Sequence, residues 1–289
     1  MTLTKIKQSI SSILPKKIKK RVKTIYYDNF LYPLYNLKYK FFYNSWDFFD
    51  SISLETTTYC NLRCKFCPNS IYERGLLKNK KLMDSNLFKK IINELRSINY
   101  RGKIRLHFYG EPLSDSRLPE LIKYIRDKCP RNKVIVYTNG FLLTIELYQK
   151  LIKIGVNSFF ITQYGTTKIP NIEKLMTYLK TRPKYENKIT YRTLGVDLGL
   201  SNRGGEIKVK NTVDYERPTC LYPSTSLHID YLGNLVLCSN DYHSTIIFGN
   251  LKKEKLLDIW NKPNYKKLRN ELKHYIFKLP ICKKCVGLE

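Results

Sequence analysis

Between residues 51 and 195 the chain alternates five short apolar runs with four amphipathic stretches, and that alternation fixes the class of fold. The runs are SISLETT (51–57), KIRLHFYG (103–110), KVIVYTNG (133–140), NSFFITQYG (157–165) and NKITYRTLG (187–195), and they predict strands. Between them MDSNLFKKIINELRSI, LPELIKYIRDK, TIELYQKLIKIG and NIEKLMTYLKT predict helices. In the first of these Leu87, Ile91 and Leu95 share a face, and Asp84 or Ser85 supplies the cap. Strands separated by helices pair in parallel through right-handed crossovers. Each strand runs into a polar, glycine-bearing segment, and the carboxyl ends of parallel strands are where such sheets and barrels carry their sites.

Two flanks do not follow the rhythm. Residues 1–48 form a basic, aromatic-rich N-terminal extension, in which Ile6, Ile10, Ile13 and Leu14 recur at helical spacing. After SNRGG (201–205) the pattern breaks, so the α/β core is expected over 49–205 and a smaller module over 206–289. In that module LHIDYLGNLVLC (227–238) reads as a hairpin turning at Gly233–Asn234, followed by short helices around LLDIWN and NYKKLRNELK. It is too short to bury a core alone.

The chemistry lies in the cysteines. Seven of the eight fall into two groups, Cys60, Cys64 and Cys67 in one and Cys220, Cys238, Cys282 and Cys285 in the other. Cys129 is left over and reads as a small buried apolar residue. No run of eighteen apolar residues and no signal-peptide core occurs, so a reducing cytoplasm is expected, where clustered thiols serve as metal ligands. Three thiolates within eight positions can hold three corners of a four-iron cube and leave the fourth iron open for a ligand. Four thiolates saturate a metal, and ligand count alone allows zinc as well as iron–sulfur. The formal net charge is +28, of which residues 1–50 contribute +7, ten Lys and Arg against three Asp. A charge this dispersed marks no single binding stripe, and nucleic acid is not an expected partner.

At this point the stretch CNLRCKFC is identified as a member of the Cys-x3-Cys-x2-Cys loops of the radical S-adenosylmethionine (SAM) enzymes. The resemblance implies a partial (β/α)6 TIM-type barrel of α/β class. It implies Cys60, Cys64 and Cys67 as ligands of a SAM-binding [4Fe–4S] cluster, with Phe66 beside the adenine. Tyr109-Gly110-Glu111-Pro112 resembles the family's GGEP segment, which binds the methionine amine; the first glycine is tyrosine here, and Gly110, Glu111 and Pro112 are intact. Thr138 and Asn139 end the third strand as in many members, Gln163 lies where the family often meets the ribose, and Arg192 is placed to reach the SAM carboxylate. Cys-x12-Gly-x4-Cys, a helix carrying Ile259-Trp260 and a terminal Cys-x2-Cys resemble the SPASM/twitch extensions of this family. With four cysteines the module resembles the shorter twitch form, holding one fully ligated auxiliary [4Fe–4S] cluster on Cys220, Cys238, Cys282 and Cys285.

The function implied is cleavage of SAM by the reduced three-cysteine cluster, then hydrogen-atom abstraction from substrate by the 5′-deoxyadenosyl radical. The auxiliary cluster accepts the second electron, for a net oxidation such as alcohol to ketone. A base must take the hydroxyl proton; Asp241 is the candidate, and Arg203 the candidate substrate contact. The twitch form resembles sugar or aminocyclitol alcohol dehydrogenases. The alternatives are a maturase acting on a ribosomal peptide and a non-catalytic iron–sulfur or zinc protein. Expected partners are a sugar-like or peptide substrate and a low-potential donor such as flavodoxin or ferredoxin. The eight Lys and Arg of residues 1–27, with no Asp or Glu, add an anionic membrane surface at the inner face of the membrane.

Overall fold

The computed structural model describes residues 32–165, 168–182, 185, 187–194, 202–208 and 220–289. The apolar stripe at Ile6–Leu14 and the basic run after it lie outside the described residues.

Strands β1 (Ser51–Leu54), β2 (Lys103–Leu106), β3 (Lys133–Thr138), β4 (Ser158–Tyr164) and β5 (Ile189–Leu194) pair in sequence order, all parallel. Helices α2 (Ser85–Ser97), α3 (Leu118–Lys128), α4 (Ile145–Ile154) and α5 (Pro170–Leu179) make the crossovers, after an N-terminal α1 (Tyr32–Tyr43). The expected cap is Asp84, whose side chain accepts from the Leu87 amide, a contact worth ~1 kcal/mol. Below it α2 buries Leu87, Phe88, Ile91, Ile92 and Leu95 against the sheet, each contributing about 1.5–3 kcal/mol. Cys129 packs in this core, 5% exposed, as read from the sequence.

The sixth parallel strand comes from an unexpected place. It is β6 (Ser226–Ile229), inside the segment assigned to the small C-terminal module. It docks on the free edge of β1, with Ser51 opposite Ser226 and Leu54 opposite Ile229. The Ser51 and Ser226 hydroxyls meet at 2.8 Å. Antiparallel β7 (Asn234–Val236) and β8 (Ile247–Asn250) follow, giving an eight-stranded sheet in the order β5-β4-β3-β2-β1-β6-β7-β8. The hairpin turns where expected, because Gly233 takes φ +88° and Asp230 receives the Leu232 and Asn234 amides.

The aromatic run joins this core. Phe48, Phe49 and Tyr39 are buried, and Phe49 meets Trp260 edge-on at 5.3 Å. Trp260 belongs to α7 (Leu256–Trp260), which follows the short α6 (Tyr222–Thr225) and precedes α8 (Pro263–Lys273) and α9 (Pro280–Val286). Arg269 of α8, 1% exposed, lies over Trp260 and ion-pairs with Asp47. A buried cation without that carboxylate would be strongly destabilising. No helix among the described residues is long and apolar enough to cross a membrane.

Candidate active site

A parallel strand with helices on its outer face turns alternate side chains outward into the core and inward over the open face of the sheet. Ile52, Ile104, Leu106, Val134, Val136, Phe159 and Ile161 point outward and are fully buried. The inward set lines one cavity of about 310 Å³, with Ser53, Arg105, His107, Tyr137, Phe160 and Thr162 in its wall. Cys60, Cys64 and Cys67 stand at the same cavity, on the loop after β1.

That loop is pinned from inside. Arg63 donates to the carbonyls of Cys60 (3.0 Å), Leu62 (2.9 Å) and Gly75 (2.7 Å), and Ser70 Oγ donates to the Cys64 carbonyl at 2.6 Å. Burial pushes the Cys60 thiol up to about 12 and Cys64 to about 11, with neighbouring thiolates adding to the rise. Desolvated thiols crowded this way need a cationic centre to deprotonate them.

The second group closes from three places. Cys238 follows β7, Cys220 precedes α6, and Cys282 and Cys285 share a face of α9 at i, i+3. Burial and mutual repulsion raise Cys238, and push Cys282 up to about 12. Asn240 donates to Cys238 Sγ from its amide (3.4 Å) and to Cys285 Sγ from its side chain (3.3 Å), the sulfur-directed hydrogen bonds that tune iron–sulfur sites. Among the described residues no three His, Cys, Asp or Glu side chains gather tightly enough to share one ion. Zinc needs each thiolate at ~2.3 Å; a four-iron cube takes each on a different iron. The donor chemistry, seven thiols in groups of three and four, fits two cubes, one left open and one closed by four thiolates.

Glu111 faces the open one. Its carboxylate accepts from Thr138 Oγ1 (2.7 Å), the Asn139 amide (2.9 Å) and the Leu113 amide (3.1 Å). Full burial outweighs these donors and pushes its pKa up to about 7. Thr138 and Asn139 thus orient Glu111, and the Asn139 side chain also approaches Cys60 Sγ at 3.9 Å. Pro112 opens the tight turn behind Glu111. A side chain at Gly110 would strike the Thr57 carbonyl at 1.9 Å, so that position admits only glycine. Phe66 and Tyr164 meet at 5.0 Å and form an aromatic wall. Arg192 lines the cavity over the Phe160 ring at 4.7 Å and donates to Thr162 Oγ1 at 3.3 Å. Arg203 also lines it, from a left-handed backbone (φ +52°) that costs of order 1–3 kcal/mol.

Two expectations are corrected. Gln163 lies on the other face of β4 from Thr162 and Tyr164, which line the cavity; the period of two turns it away, and it accepts a hydrogen bond from the Tyr191 hydroxyl instead. Asp241 is 1% exposed and stands apart from the cavity, with both carboxylate oxygens accepting from Thr245 and Ile246. It braces the loop after Cys238 and does not line the cavity.

The cavity also contains residues whose place in the sequence gives no hint of a shared role. His107 and His228 share no spacing that suggests a metal site, yet β2 and β6 flank β1 and bring both into one wall. Burial and nearby arginines lower His107 to about 4 and His228 to about 3, so both are neutral near pH 7. The available signal was alternation: the polar Arg105 and His107 alternate with the apolar Ile104, Leu106 and Phe108.

Comparison with known proteins finds two matching regions of the chain. Residues 54–194 match the radical SAM superfamily, and residues 220–286 match SPASM, an iron–sulfur cluster-binding domain. The S-adenosyl-L-methionine-dependent 2-deoxy-scyllo-inosamine dehydrogenase of Niallia circulans is 32% identical over 239 residues, 82% of this chain and 92% of that protein. The FeMo cofactor biosynthesis protein NifB of Methanocaldococcus infernus is 26% identical over 255 residues, 83% of this chain and 80% of that protein. The crystal structure of BtrN in complex with AdoMet and 2-DOIA superposes with a TM-score of 0.74 at 31% identity, covering 82% of this chain and 93% of that one. Native anSMEcpe with bound AdoMet shares the fold at a TM-score of 0.51 and 13% identity, over 79% of this chain and 84% of that one.

Proposed function

The chain belongs to the radical SAM superfamily, carries a C-terminal SPASM-type domain and is an oxidoreductase of that family, and on this premise we propose that it oxidises an alcohol of a sugar or aminocyclitol to the ketone. The observation that carries the reading is the 32% identity sustained over 92% of a relative named as an inosamine dehydrogenase, with seven cysteines here in two groups. When bound, SAM and the two clusters supply hydrogen-atom abstraction by a 5′-deoxyadenosyl radical and an acceptor for the remaining electron.

The chain's own residues do the positioning. Glu111 holds the methionine ammonium and Arg192 the carboxylate, while Phe66 and Tyr164 flank the adenine. Arg203 reaches toward the substrate from the rim. His107 lines the cavity as a neutral imidazole near pH 7 and can accept a hydrogen bond from the substrate hydroxyl. The walls around it exclude water from a reactive radical.

Two partners complete the reading. The net charge of +28 suits an acidic low-potential donor such as flavodoxin or ferredoxin. An anionic membrane surface at the inner face of the membrane suits residues 1–27, and exposed Leu34, Leu37, Phe41 and Trp46 continue that apolar character.

The test is an anaerobic assay of reconstituted enzyme with SAM, reductant and a panel of sugars and aminocyclitols. We expect a product two mass units lighter, formed one-to-one with 5′-deoxyadenosine. In Cys282→Ala/Cys285→Ala, SAM cleavage remains detectable and the ketone is lost. Unchanged ketone formation in that double variant would remove the auxiliary group from the mechanism.

A further inference from the structure

The charge inside the cavity is lopsided. Three arginines line it, Arg105, Arg192 and Arg203, against one carboxylate among the described residues, Glu111. Glu111 and Arg192 are matched by the ammonium and carboxylate of SAM itself. The thiolates of Cys60, Cys64 and Cys67 bring negative charge to the same cavity, and of its charged side chains Arg105 has a buried nitrogen with no hydrogen-bond partner.

Arg105 projects from β2, a strand hydrogen-bonded on both sides. Its Nε is buried without a hydrogen-bond partner, and its guanidinium lies 5.9 Å from the centre of the Tyr137 ring. The flanking polar groups compensate no cation. Ser53 opposite it on β1 is neutral, and so are His107 and His228 near pH 7. His228 is 3% exposed, and its Nδ1 also lacks a partner. A half-buried guanidinium with no anion beside it costs free energy, and a ligand that supplies the anion recovers it. Arginine presents a planar fork that matches a carboxylate or a phosphoryl group.

We propose that the alcohol substrate carries an acidic group, phosphoryl or carboxylate, and that Arg105 receives it at the cavity wall. This rests on the alcohol-oxidation reading and narrows it. An ammonium at that place in the substrate would meet the Arg105 guanidinium with a charge of its own sign.

The test uses the holoenzyme with both clusters and SAM, titrated calorimetrically with three hexose probes: glucose 6-phosphate, glucuronate and glucosamine. At least one acidic probe should bind about tenfold tighter than glucosamine, or ~1.4 kcal/mol, and the two acidic arms distinguish phosphoryl from carboxylate. Arg105→Gln should reduce that preference about tenfold, and Arg105→Lys should keep most of it. Cluster absorbance serves as the folding control for both variants. Glucosamine binding as tightly as both acidic probes, no binding by any of the three, or a preference intact in Arg105→Gln would each overturn the proposal. Oxidation is scored separately, as loss of two mass units. A charge preference without oxidation would count against the oxidation reading alone, and oxidation without the preference would count against this one alone.

Discussion

The Tyr109 hydroxyl donates to the Ser239 carbonyl at 2.5 Å, tying the segment that carries Glu111 to the residue after Cys238. Tyr109 stands where the GGEP segment has its first glycine. Its ring packs edge-on against Tyr242 at 4.6 Å, and its own carbonyl accepts from Asn69 at 2.9 Å. Tyr242 in turn donates to Asn69 at 2.9 Å. The loop after Cys67, the segment that carries Glu111 and the loop after Cys238 are therefore parts of one hydrogen-bonded unit. Tyr109→Phe removes one bond of ~1 kcal/mol. We expect both clusters to remain, and the ratio of 5′-deoxyadenosine to oxidised product to rise severalfold as the two sites lose register. A ratio unchanged from wild type would show that the link is only structural.

Iron content separates the two cysteine groups. Anaerobic reconstitution should give about eight iron per chain, two four-iron cubes. Cys60→Ala/Cys64→Ala/Cys67→Ala should lower this to about four and abolish SAM cleavage. Residual 5′-deoxyadenosine in the triple variant would refute the assignment of the open cluster.

The pH dependence of SAM affinity should report Glu111. Its pKa is raised by burial from 4.5 to about 7 before any cationic ligand arrives. A raised carboxylate favours the folded state most below pH 4.5, and that contribution is lost as pH rises through about 7. The bound ammonium needs the charged form, so SAM should bind more tightly as pH rises from 6 to 8. Glu111→Gln should weaken binding about tenfold or more and flatten the profile. An equally steep profile in the variant would assign the titration elsewhere; Glu55, also pushed up to about 7 by burial, titrates in the same window.

Membrane association is tested by sedimentation with anionic liposomes. The full chain should sediment at low salt and be released at high salt, since each cation near an anionic surface contributes about 1 kcal/mol and is screened by ions. Deleting residues 1–27 should abolish sedimentation while both clusters remain. Equal sedimentation of the truncated chain would refute the role of that segment.

The sequence by itself determined the parts of this protein that depend on near neighbours along the chain. Cys60, Cys64 and Cys67 sit on one loop, so their spacing alone shows an open ligand set, and Gly110-Glu111-Pro112 is a single tight turn. The helices were legible because burial imposes a local period, and Asp84 marks its cap by chemistry alone. Only the tertiary structure decided what meets across the sheet. Arg105, His107 and His228 are ordinary residues in their own segments, and they share a cavity because β6 docks on the free edge of β1, 175 residues from it in sequence for the Ser51–Ser226 pair. Gln163 lies one position from the lining residues of β4, and a strand sends adjacent side chains to opposite faces. Asp241 has the chemistry of a base, but it is buried in the turn that it closes and does not line the cavity. A strand's two faces and a carboxylate's hydrogen-bond partners are set by what packs against them, and for these residues that partner is distant in the chain.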